Sequence, residues 1–153
     1  MNKRGYLSKL SSTCSNLGVC RSNVLIVGGG ASLLLGLREE TADIDVVLPS
    51  HLYKIFVFHP KISKLLRLEP TRWLGESSQV TISDIDFVFP SNDFNYPTFK
   101  HRKFNVLTKL GLLMYRLDLG REKDLGDIKL LESEYRNLNA SYKKRLKELL
   151  ECQ

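Results

Sequence analysis

The chain has 153 residues, 42% hydrophobic and 26% charged, enough for one domain with a proper core and too apolar for a disordered segment. Its formal charge of +6 leans toward polyanionic partners without specifying one. Cys14, Cys20 and Cys152 have neither CxxC nor zinc-site spacing, and no apolar run reaches the length of a secretory leader or a membrane span; the sequence therefore predicts a reduced, soluble, cytoplasmic protein without membrane contact.

Taken in order, Lys3 to Leu17 has helical spacing, with Tyr6, Leu7, Leu10 and Cys14 on one side. "NVLIV", Asn23 to Val27, predicts a buried strand that runs into Gly28, Gly29 and Gly30. "ASLLLGLREE" predicts a short helix and "DIDVVLP", Asp43 to Pro49, a second strand. "HLYKIFVF" fits helix or strand, and "KISKLLRL" predicts a helix. "QVTISDIDFVFP" predicts one long alternating strand closed by Pro90, followed by loop at "SNDFNYPTF". "NVLTKLGLLMYRLDLG" predicts a helix capped at Gly120, and "EKDLGDIKLLESEY" and "ASYKKRLKELLE" predict two more, the last amphipathic and basic. No repeat or linker divides the chain, so residues 1–153 read as one α+β domain.

A glycine turn after a first strand invites a dinucleotide-binding reading. The third glycine of that fingerprint falls on Leu33, whose bulk would hold helix and strand apart, and the acids open the next strand instead of closing it. Asp43 and Asp45 stand two apart on a predicted strand, so both carboxylates project from one face while Ile44 points into the core. Two adjacent carboxylates favour a hard cation such as Mg2+, which shares its shell with substrate phosphates. Gly29 and Gly30 let backbone amides approach those phosphates, and Ser32 adds a hydroxyl. Asp84 and Asp86 form a second pair; if their strand lies beside the first, either could complete the site, and Asp86, set in an apolar stretch, is the favoured third ligand or base.

These motifs resemble the signature of the DNA polymerase β-like nucleotidyltransferase superfamily, a glycine turn followed by Asp-x-Asp on the next strand. They look most like the small AbiEii-type branch, on Gly29, Gly30, Ala31, Arg38, Asp43, Ile44 and Asp45, then Lys109, Arg121, Lys123, Asp124, Asp127 and Ile128. The resemblance implies a minimal nucleotidyltransferase fold, a short mixed sheet with packed helices and a helical C-terminus. It also implies transfer of a nucleoside monophosphate from an NTP to a hydroxyl of RNA (tRNA), a protein or a small molecule. Asp43, Asp45 and Asp86 would bind Mg2+ and act in catalysis, Gly29, Gly30 and Ser32 would hold the triphosphate, and Lys109 or Lys123 would neutralise it. The rival reading is a catalytically silent domain of this fold that binds nucleotide, RNA or a protein partner, compatible with a place in a toxin–antitoxin pair. His51, His59 and His101 show no metal spacing and read as loop residues. Lys100, Arg102 and Lys103, with "KKRLKELL", could form a basic patch for a phosphate backbone or remain a solvated face.

Overall fold

The computed structural model describes residues 1–93 and 95–134, with Lys144. Helix α1, Lys3–Leu17, starts where the Asn2 side chain accepts from Gly5 N–H and stops at Gly18 in the left-handed conformation. It buries Tyr6, Leu7, Leu10 and Cys14, the side read from its spacing. Strand β1, Leu25–Ile26, is shorter than its apolar run because the chain turns into α2, Gly28–Leu34, directly after Val27. Strand β2, Ile44–Val47, follows, and the ambiguous segment resolves as a one-turn helix α3, Tyr53–Val57. Phe56 drives that choice by packing on Phe87 and Phe89, with ring centroids 4.8 and 5.0 Å apart.

Three stretches depart from expectation. "KISKLLRL" is not a helix but the start of strand β3, Ile62–Thr71, paired antiparallel with β4, Gly75–Ile82. Its leucines have no helical face to bury; Leu65 and Leu66 stay exposed, and the backbone is satisfied by β4 instead. "QVTISDIDFVFP" is two strands, since β4 turns at Ser83–Asp84 into β5, Ile85–Pro90. Both turn residues have positive φ, 52° and 62°, as a two-residue hairpin demands, and Asp can adopt it. Asp84 therefore sits in a turn and does not share a strand face with Asp86. Strands β6, Thr98–His101, and β7, Phe104–Leu107, form a second hairpin, so Thr98 and Phe99 are strand where loop was expected and Asn105–Leu107 are strand where the helix was expected to start; pairing of β7 with β1 and β6 claims these residues. Helix α4, Lys109–Leu119, begins at Thr108, whose hydroxyl accepts from Gly111 N–H, and ends at left-handed Gly120, as its glycine signal predicted. Helix α5, Leu125–Glu134, completes the described fold, and the predicted helix at "ASYKKRLKELLE" lies outside the described residues.

The sheet is mixed and seven-stranded, in the order β3-β4-β5-β2-β1-β7-β6. β1 runs antiparallel to β2 and parallel to β7, and β2 runs parallel to β5. Helix α4 is buried from Leu110 to Asp118, as expected of a helix covered on every side. Its Asp118 accepts from Tyr96 O–H, Thr71 O–H and Trp73 N–H at 2.9, 3.0 and 3.0 Å, which ties the tip of the β3–β4 hairpin to the helix. Arg116 on the same helix is 4% exposed; it pairs with Asp127 of α5 and donates to Ser32 Oγ of α2 at 3.0 Å. No described helix is long and apolar enough to cross a membrane. The architecture is α+β, as expected.

Candidate active site

Parallel pairing of β2 with β5 sets Asp45 directly opposite Asp86. Residues in register project from the same face, so the two carboxylates stand side by side, while Ile44, Val46, Ile85 and Phe87 alternate into the core. The row continues outward, with Thr81 of β4 opposite Asp86 and Lys64 of β3 opposite Thr81. Thr81 Oγ1 donates to Asp86 Oδ1 at 2.6 Å, which orients one carboxylate oxygen and leaves the other for a ligand. Burial above all, then the charge of Asp86, a hydrogen bond shared with it and the charge of Asp43, push the Asp45 carboxyl up to about 6; Arg121 pulls it the other way.

Asp43 lies just before β2 and is exposed. Its charge reaches Asp45, yet among the described residues no group of three or more acidic, histidine or cysteine side chains is gathered tightly enough to form a metal cage. The pair Asp45–Asp86 is the convergent element, and Asp43 flanks it. Asp84 points away from the pair: it is exposed in its turn, 3.9 Å from Lys9 Nζ.

The glycine turn lies against the same carboxylate. Gly28 has φ +55°, and a Cβ there would sit 3.9 Å from Asp45 Oδ2. A Cβ on Gly29 would overlap Thr41 Oγ1 and lie 3.3 Å from Arg38 Nη1, so the Arg38–Thr41 segment folds over the turn. Gly30 and Ser32 face inward. A side chain at Gly30 would collide with the Tyr6 ring, and Ser32 is buried with its hydroxyl held by Arg116. The Tyr6 hydroxyl is fully buried with no hydrogen-bond partner among the described residues, and burial followed by the charge of Asp45 drives its pKa upward. Tyr115 of α4 is buried near Asp45 and is raised for the same two reasons in the same order.

Among the cations, Lys109 opens α4 and is half-buried, and Lys123 is exposed in the turn Glu122–Asp124. Arg121, not assigned to the site on spacing, acts through its charge on both Asp45 and Tyr115. Its Nε donates to the buried Asp124 at 2.7 Å, which fixes the guanidinium at the end of α4. The signal for it was present in the run Arg121-x-Lys123-Asp124, but a residue following a helix cap is ordinarily read as complementing the helix dipole.

No protein-family model and no curated protein matches the chain. Among solved structures, the chain is similar to a protein from Thermotoga maritima provisionally named a nucleotidyltransferase. Identity is 19% and the TM-score 0.54, over 88% of this chain and 96% of that one. It also aligns with the Megavirus polyadenylate synthase, at 13% identity and a TM-score of 0.47, over 97% of this chain and 33% of that one. The first likeness establishes a shared fold, of the nucleotidyltransferase type that the resemblance implied.

Proposed function

We propose that the chain is a metal-dependent nucleotidyltransferase that moves a nucleoside monophosphate from an NTP to a hydroxyl. The observation that carries this reading is the register of Asp45 with Asp86, two half-buried carboxylates in contact beside the backbone of Gly28. Hard oxygen donors of this number fit Mg2+, which takes few protein carboxylates and completes its shell with water and phosphate oxygens. Asp45 and Asp86 would hold the ion with Asp43 at their flank, and when bound it would neutralise triphosphate charge and polarise the reacting phosphorus.

The chain's own groups divide the remaining work. The Gly28–Gly29 backbone admits the triphosphate close to Asp45, and Arg38 and Arg121, with Lys109 and Lys123, offset its charge. Gly30 and Ser32 brace that turn from the core side. Asp86, oriented by Thr81, accepts the proton of the acceptor hydroxyl. The hydroxyl oxygen then bonds to the α-phosphorus, the bridging α–β bond breaks, and pyrophosphate leaves. Within the superfamily we favour the AbiEii-type branch on the order of its two motifs, with RNA or protein as the acceptor class, a toxin–antitoxin setting and a cytoplasmic location.

Incubating the protein with each α-labelled NTP and Mg2+, in the presence of total RNA or cell lysate, tests the reading. Label should appear on one acceptor class and disappear with Asp45→Asn and with Asp86→Asn. Absence of transfer from folded protein with every NTP would move the assignment to a silent domain of this fold.

A further inference from the structure

A second concavity lies at the far end of β1 from the carboxylates. The turn Arg21–Asn23 precedes β1, and Phe104 opens β7 parallel to it, whereas Asp45 accepts at its backbone carbonyl from Val27, the residue after β1. The concavity encloses about 630 Å3 and is lined by Cys20, Arg21, Ser22, Lys100 and Lys103. Its cations come from two separate elements, and among the described residues no carboxylate lines it. Arg21 is fixed in place, with its guanidinium 5.1 Å from the Phe104 ring centroid and Nη1 donating to Arg102 O at 3.3 Å. Burial first, then the charges of Lys3 and Arg102, pull the neighbouring His101 imidazole below its ordinary pKa.

The hairpin turn adds a separate argument. Arg102 and Lys103 have φ of 48° and 73°, the left-handed conformation that a two-residue hairpin demands and that Asn-Gly adopts most easily. The chain keeps two long cations where a cheaper turn is available, a local conflict of the kind that marks functional positions. Among the described residues the groove has no ring on which a base could stack, since Phe104 is fully buried beneath Arg21. None of the exposed large apolar side chains among the described residues lines it, so the anchors of a protein hot spot or a lipid-inserting face are missing. An open trough of small-ligand size, whose mostly apolar lining is edged by three cations and holds no ring or exposed large apolar side chain among the described residues, matches the repeated phosphates of one nucleic-acid strand.

We propose that this groove binds the phosphodiester backbone of single-stranded nucleic acid independently of base sequence. Its test needs no catalysis and stands whether or not the transferase reading holds. Fluorescent oligo-uridylate and oligo-thymidylate of about 12 nucleotides are titrated with the full chain while anisotropy is followed. Measurements span roughly 50 to 200 mM salt. Three phosphate contacts predict a log–log salt slope near −2, at about −0.7 per contact on single strands. Lys100→Glu with Lys103→Glu should weaken binding at least about tenfold at the lower salt. Lys54→Glu with Lys61→Glu, an equal charge change at exposed positions outside the groove, should leave affinity within about threefold. Arg102→Asn with Lys103→Gly should melt at a higher temperature than the parent yet bind more weakly, a combination that misfolding cannot produce. Equal binding of the two probes is the backbone result, and tighter binding of oligo-uridylate adds a contact to the 2′-hydroxyl. The proposal is overturned if the parent does not bind at low salt, or if the Lys54/Lys61 variant loses as much as the groove variant. It also falls if oligo-adenylate and oligo-uridylate differ strongly, or if polyglutamate of equal charge competes as well as the oligonucleotide.

Discussion

With Asp86 opposite it in register and Asp43 two residues upstream, Asp45 is half-buried among like charges, and its carboxyl is pushed up from the ordinary 3.8 to about 6. A folded-state pKa raised above the unfolded value means that the native protein holds the proton more tightly. Stability from this group is therefore complete below about pH 4 and is lost as the pH rises through about 6. Above that, the ionised carboxylate opposes folding by roughly 1–3 kcal/mol, two pKa units being worth about 2.7. Asp45→Asn removes the ionisation and keeps the shape. In a chelating buffer it should raise the melting temperature at pH 7–8 and leave it nearly unchanged at about pH 4. Thermal melts across pH decide the matter, and a variant no more stable than the parent at pH 8 would show that Asp45 is not electrostatically frustrated. Under the proposed function the same frustration would favour a cation, since a carboxylate pair that destabilises the fold would be relieved by a bound divalent ion. Half of this was legible in "DID", because period-2 alternation alone puts Asp43 and Asp45 on one face. The partner was named only conditionally, because register between strands that are distant in sequence is set by tertiary packing and has no local signature.

Helix α4 connects the site to the rest of the fold, and Arg116 is its central joint. The guanidinium is buried and spans α5 through Asp127 and α2 through Ser32, so the glycine turn, α4 and α5 meet at one charge. Asp127→Ala leaves that charge in the core with a single neutral acceptor. The expected loss is roughly 2–3 kcal/mol, below the 3–5 typical of fully enclosed pairs because Asp127 is itself half in solvent. Denaturant melts should show the loss in the midpoint with an unchanged slope, and Asp127→Asn should recover part of it through a retained acceptor. Helix α1 was read at its true ends, Lys3 and Leu17, whereas α4 was read correctly only at Gly120: the expected helix began at Asn105, but Asn105–Leu107 belong to β7 and the helix starts after Thr108. The errors fall where local and tertiary preferences disagree. "KISKLLRL" has leucines at spacings compatible with a helix, yet the available partner was an open edge of β4, so it became a strand. The β4–β5 turn was hidden because Ser-Asp is a weak hairpin signal beside Asn-Gly, and the apolar alternation continues on both sides of it.

Across the whole molecule, the two ends of β1 carry opposite electrostatics: carboxylates beside the glycine turn at one end and the cationic groove at the other. A net charge of +6 is thus not a uniform coat, and the divalent cation of the proposed function would meet its carboxylates at the acidic end. Because an ion held there binds the folded chain and has no equivalent site in the unfolded one, Mg2+ should raise global stability by RT ln(1 + [L]/Kd). At ten times its dissociation constant this amounts to about 1.4 kcal/mol, or roughly 3–6 °C in melting temperature for a chain of this size. The shift should shrink as the pH falls through about 6, where Asp45 takes up its proton and competes with the ion. Asp45→Asn and Asp86→Asn should each abolish it, and potassium at matched ionic strength should not reproduce it. Differential scanning calorimetry with and without Mg2+ at pH 5 and pH 8 separates the possibilities. A shift that persists in both variants would place the ion elsewhere on the surface and remove the metal from the carboxylate pair, whereas a shift lost in both and steepest above pH 6 ties whole-molecule stability to the Asp45–Asp86 row.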